Sequence, residues 1–163
     1  MLRVIEMKQT WKTYALWIVI AEGVGALSGI LSREGIKLYA QSIVKPPLSP
    51  PSAVFPIVWT ILFALMGIGA ARIWLSPPGQ DRTRALAVFL VQLAVNFFWS
   101  LIFFNLQLYG FAFFWLVLLW ALIWIMIVLF SRIDRLAGRL QIPYLIWVAF
   151  AGYLNFGVWM LNK

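Results

Sequence analysis

Five stretches of the chain run for about 20 residues each with little polar interruption: 13–32, 54–74, 84–105, 110–130 and 140–161. Their apolar positions are continuous rather than alternating. A hydrocarbon layer about 30 Å thick needs about 20 helical residues, whereas a membrane barrel strand needs only about 9 to 11. The pattern therefore predicts an all-α membrane protein, a single domain over 1–163 built as a bundle of five transmembrane helices. Turn-forming residues mark the breaks. Pro46, Pro47, Pro50 and Pro51 punctuate the first connection, Pro77-Pro78-Gly79 the second, Leu108 to Gly110 the third, and the charged run Arg132 to Arg139 the fourth. Residues 33–53 are read as one long loop. The first stretch carries Glu22 at its centre and is too long for a signal-peptide core, so it is expected to stay as a helix.

Composition agrees with the pattern and removes the soluble alternative. Hydrophobic residues make up 64% of the 163 and charged residues 11%, against about 25% charged in soluble domains. The formal net charge is +8, but the Lys and Arg stand singly between apolar runs. That is the layout of loops beside anionic lipid, not of a nucleic-acid surface, so the expected macroscopic partner is the lipid bilayer. Arg3, Lys8, Lys12, Arg72, Arg82, Arg84, Arg132, Arg135 and Arg139 fall on one side; Arg33, Lys37, Lys45 and Lys163 fall on the other. Nine against four predicts a cytoplasmic N-terminus.

Cysteine and histidine are both absent, which removes disulfides, thiol and imidazole catalysis, zinc sites and the commonest haem ligands. No metal site and no resident cofactor are expected. Candidate chemistry therefore rests on the polar and aromatic side chains inside the spans. Glu22 has no basic residue within a predicted membrane centre to pair with, and is read either as a neutral carboxyl bonded to a neighbouring helix or as a proton or cation site. Gln92 and Asn96 lie one turn apart with Trp99 a turn later, on one helical face, while Tyr144 and Asn155 add polarity to the fifth helix. Amides commonly cement helices in membranes, and that reading stays open for both.

Ten Trp, thirteen Phe and five Tyr are the strongest compositional feature. Trp11, Trp17, Trp74 and Trp159 lie near span ends, as interfacial belts require. Trp59 and Trp147 lie deeper, with Phe63 one turn beyond the first and Ala151 one turn beyond the second. An indole beside a small residue leaves room for a flat apolar ligand and offers an N–H as a polar handle, although core packing explains the same residues. Gly25 and Gly29, with Gly23, Ala26 and Ser28, form a small-residue face that suits close helix approach, within one chain or between two.

Three segments carry a resemblance: Tyr39 to Trp59 (YAQSIVKPPLSPPSAVFPIVW), Asn96-Phe97-Phe98-Trp99, and Pro143 to Asn155 (PYLIWVAFAGYLN). Together they resemble the translocator protein family, also called tryptophan-rich sensory proteins, over nearly the whole chain. The resemblance implies a five-helix bundle, commonly a homodimer, in a bacterial cell membrane. Its pocket beneath the first loop binds porphyrins and, in animal relatives, cholesterol and benzodiazepine-type drugs. Trp59 and Trp147 match the two pocket tryptophans, Asn96 the pocket amide, Trp99 and Ala151 the pocket wall, and Tyr39, Pro46, Pro50 and Pro51 the lid. Phe63 is added as a ring neighbour of Trp59.

The implied function is binding of protoporphyrin IX or another flat apolar molecule, for sensing or transport. Lys37 or Lys45 at the mouth would meet a carboxylate. One alternative is light-dependent porphyrin breakdown, with Trp59 and Trp147 as the catalytic carriers. A proton-coupled exporter centred on Glu22 is a second, although the chain has no evident internal repeat. Three departures stand out: Leu48 where the family's lid often has tryptophan, Trp115 where an acid is common, and no Lys or Arg after Tyr153 until Lys163, which leaves the proposed sterol pattern incomplete.

Overall fold

The computed structural model describes residues 2–163, with side chains from residue 10 onward. Arg3 and Lys8, counted in the orientation argument, fall outside the described side chains. The elements are α1 (Leu2–Leu31), α2 (Arg33–Ser42), α3 (Val54–Trp74), α4 (Gln80–Ser100) with a π-helical turn at Leu101–Asn105, α5 (Tyr109–Ile133), α6 (Arg135–Arg139) and α7 (Ile142–Leu161). Five candidate membrane spans result: Thr10–Leu31, Val54–Trp74, Gln80–Asn105, Tyr109–Ile133 and Arg135–Leu161. The expected all-α, five-span bundle is what the chain forms.

Two connections differ from the sequence reading. Residues 33–53 are not one loop, because the first ten form α2. Polar residues there signal an exit from hydrocarbon, which is a different thing from an exit from helix. Nothing before Pro46 forbids helical backbone, Ile36 N–H donates to Ser32 O at 2.8 Å, and Lys37 pairs with Glu34 three residues earlier at 2.9 Å. The loop proper is 43–53. Likewise Arg132 to Arg139 is largely helical. Asp134 interrupts it and caps α6 by accepting from the N–H groups of Leu136 at 2.8 Å and Ala137 at 3.1 Å.

Glycines let α1 and α3 approach closely. A Cβ on Gly67 would lie 2.5 Å from Ile18 Cα, and a Cβ on Gly25 would collide with the Phe63 ring. Gly25 therefore serves packing within the chain, whereas Gly23, Ala26 and Gly29 face outward. α5 packs against both α4 and α7, with Leu119, Ile123, Met126 and Phe130 fully buried. Trp115 ties α5 to α4 by donating to Val95 O at 2.8 Å. Large apolar side chains such as Val19, Ile30 and Phe114 remain well exposed, as hydrocarbon solvent permits and water does not. Trp11 and Trp74 are exposed near span ends, but Trp17 is not a belt residue. It is buried, with its ring centroid 5.7 Å from both Trp74 and Phe89.

Candidate ligand site

α3 and α7 make little close backbone contact with each other; aromatic side chains span the interval. α3 projects Phe55, Trp59 and Phe63 at successive turns, and α7 projects Tyr144, Trp147 and Ala151. The helices run antiparallel, so Trp59 meets Tyr144 with centroids 6.1 Å apart and Trp147 meets Phe55 at 5.9 Å. Trp59 also lies against Phe63 at 5.6 Å. Both tryptophans sit on the same seam one turn apart, each partly buried against the core.

Beneath the rings runs a chain of buried polar groups. Asn96 Nδ2 donates to Tyr144 Oη at 2.6 Å, and Tyr144 Oη donates to Gln92 Oε1 at 2.9 Å. Gln92 Nε2 points to Met66 Sδ at 3.8 Å. Tyr144 is completely buried, so its phenol binds α4 to α7 while its ring edge touches Trp59. Trp147 contrasts with it. Its Nε1 is buried and has no hydrogen-bond partner among the described residues.

Tyr39 and Trp99 belong to a second, adjoining cluster around the π-helical turn. Trp99 stacks on Phe103 at 5.2 Å, and Tyr39 packs on Phe103 at 5.5 Å and Phe104 at 5.4 Å. Trp99 Nε1 donates to Asn155 Oδ1 at 3.2 Å, and Asn155 Nδ2 donates to Tyr109 O at 2.8 Å. The turn itself receives the α1–α2 bend: Asn105 Nδ2 donates to Leu31 O at 2.9 Å, and Gly35 lies against the Phe104 carbonyl. Pro46 is buried against Gly157 of α7. Sequence reasoning thus missed Phe55, Phe103 and Phe104. The helical spacing of Phe55 from Trp59 was an available signal, whereas nothing along the chain foretells the π turn.

At this end Lys37 is paired and Lys45 is not, among the described residues. Lys37 is engaged by Glu34, whose carboxyl is held below its ordinary range by that hydrogen bond. Lys45 forms no ion pair among the described residues and lies 5.4 Å over the Tyr39 ring; burial pushes the Tyr39 phenol up. Glu22 is partly exposed on α1, with no ion pair among the described residues. A separate apolar groove of about 400 Å³ lies between α5 and α7 on the outer face, lined by Phe113, Trp120, Gly152 and Phe156 among others.

Residues 15–160 match the model of the TspO/MBR family. The chain belongs to that family. It is 39% identical to protein CrtK of Rhodobacter capsulatus over 91% of this chain and 92% of that protein. It is 36% identical to the tryptophan-rich protein TspO of Chlorobaculum tepidum (92% and 96%) and 33% identical to the human translocator protein (91% and 89%). As a TspO/MBR protein with five apolar spans, it is an integral membrane protein.

Proposed function

We propose that the protein binds a metal-free porphyrin, protoporphyrin IX being the test ligand, at the α3–α7 seam beneath residues 43–53, for sensing or transport. The observation that carries this reading is the Trp147 indole N–H, buried with no acceptor among the described residues on the seam that also holds Trp59. A buried donor left unmade costs about 1–3 kcal/mol, and an acceptor on a ligand recovers it. The rings of Phe55, Trp59, Phe63 and Trp147 offer faces to a flat macrocycle once they part to admit it. Lys45, which has no ion pair among the described residues, suits a propionate carboxylate. With neither His nor Cys in the chain, the commonest strong axial ligands of haem iron are missing, which favours a metal-free ring. The relatives named tryptophan-rich sensory protein and translocator protein accord with sensing or transport.

Titration of protoporphyrin IX against tryptophan fluorescence tests the site. Trp147→Phe and Trp59→Phe are each expected to weaken binding about tenfold, while Trp120→Phe, on the outer groove, leaves it unchanged. Full affinity in both seam variants refutes the assignment. The photochemical alternative adds its own signature: loss of the porphyrin's visible bands under light and oxygen in the wild type but in neither variant.

In this reading the N-terminus is cytoplasmic in a bacterial cell membrane. The cysteine-free chain allows a direct check: an impermeant maleimide labels Ser52→Cys in intact cells and spares Gln80→Cys, and the reverse pattern inverts the topology. The homodimer uses the outward face of Gly23, Ala26 and Gly29, so Gly29→Cys cross-links between copies; a cross-link that forms only at other faces moves the interface.

A further inference from the structure

The corner where α5 turns through α6 into α7 carries more positive charge than the fold uses. Arg132, Arg135 and Arg139 fall within eight residues there, and all three are exposed. None of them makes an ion pair among the described residues. The carboxylate between them is already spent: Asp134 accepts from the N–H groups of Leu136 and Ala137 and pairs with Arg72 at 2.7 Å. Asp81, across the polar hollow that Ile133 shares with residues 76–82, forms no ion pair with them either. Arg82 differs, because it donates to Trp74 O at 3.1 Å and to Ser76 O at 3.0 Å.

The backbone beneath these guanidiniums is fixed. Gly138 lies so close to Ser131 and Ile127 O that a Cβ would collide with them, which folds α6 back on the last turns of α5. Gln141 Nε2 donates to Leu65 O and Ala137 O, each at 3.2 Å, and so ties the start of α7 to α3. Arg135 and Arg139 stand one helical turn apart and share a face. Beside them Leu136 is 48% and Ile142 43% exposed. Three cations held together without a counter-charge repel one another, and an anion that bridges them removes the repulsion. Guanidinium forks match phosphate oxygens. The bare leucine and isoleucine favour a phosphate that brings its own hydrocarbon.

We propose that this corner binds the phosphodiester headgroup of an anionic phospholipid, with Arg132, Arg135 and Arg139 on the phosphate and Leu136 and Ile142 against the first methylenes of its chains. Such a lipid is held at one place, unlike the diffuse attraction that every basic loop exerts on an anionic membrane. The inference does not depend on the porphyrin site.

The chain has no cysteine, so a bimane attached through Val128→Cys, one turn from Arg132 on α5 and partly exposed, reports the lipid at the corner. In phosphatidylcholine bilayers, brominated phosphatidylglycerol is expected to half-quench this label at about a tenfold lower mole fraction than brominated phosphatidylcholine, since each basic side chain at an anionic surface contributes about fivefold. A label at Phe111→Cys, toward the opposite end of α5, shows no preference. Combining Arg132→Gln, Arg135→Gln and Arg139→Gln abolishes the preference at Val128→Cys, while unfolding in SDS comes no earlier, because these guanidiniums pair with nothing inside the fold. Arg84→Gln, exposed at the same end but outside the corner, keeps the preference within twofold. Equal quenching by the two lipids with every arginine intact overturns the proposal. A loss in Arg84→Gln as large as in the triple variant assigns the preference to diffuse surface charge and overturns it too. Inorganic phosphate in excess leaves the quenching unchanged; displacement of the lipid would make the site one for soluble phosphate instead.

Discussion

Replacing Tyr144 by Phe removes a single oxygen from the centre of the bundle. That oxygen accepts from Asn96 at 2.6 Å and donates to Gln92 at 2.9 Å, and all three residues are buried. The substitution keeps the ring, so the contact with Trp59 survives and no cavity larger than a hydroxyl forms. What changes is that Asn96 Nδ2 and Gln92 Oε1 lose partners at the buried centre of the bundle. Interhelical hydrogen bonds in membranes average about 0.6 kcal/mol and reach about 1.7. Two such bonds place the loss at about 1–3 kcal/mol. Reversible unfolding in mixed micelles titrated with SDS measures it directly. The decisive comparison is a cycle: Tyr144→Phe in a background where Gln92→Met and Asn96→Leu have removed both amides is expected to be nearly neutral, because replacing all partners by apolar groups leaves nothing unsatisfied. Equal cost in both backgrounds refutes the network and assigns the loss to packing.

Gly67→Ala is expected to destabilise by about 1–3 kcal/mol, since its Cβ would meet the Ile18 backbone at 2.5 Å and backbone yields poorly; a neutral variant in the same SDS titration denies the α1–α3 approach. Asp134→Asn keeps the helix cap but loses the 2.7 Å pair with Arg72, at a cost of about 0.5–1 kcal/mol for a partly exposed pair. Burial raises the Asp134 pKa, but the Ala137 N–H and the Arg72 guanidinium outweigh it, so the folded value lies below the unfolded one. Its contribution is therefore complete above the unfolded value and lost as pH falls through the folded one. Stability curves of wild type and Asp134→Asn should converge below about pH 4, and curves that stay parallel to lower pH refute the pairing.

What the chain determined by itself is coarse and robust. Runs of about 20 apolar residues can be satisfied only by helices crossing hydrocarbon, and four prolines between 46 and 51 can only interrupt one. Helical spacing placed Trp59 with Phe63 and Asn96 with Trp99 because residues three or four apart share a face in any helix. Local pattern did not reveal that α2 continues past the polar boundary, since leaving lipid and leaving helix look alike in composition. Nor did it reveal that Trp17 turns inward, that Phe55 meets Trp147, or that Asn162 grips Val44 across 118 positions. Those depend on how each rod is rotated and how deeply it is set against its neighbours. In a bilayer, where lipid tails are as apolar as any core, hydrophobicity exerts almost no torque on that choice. It is made by the bare glycines at 25, 67 and 157 and by the few amides and phenols that must find one another.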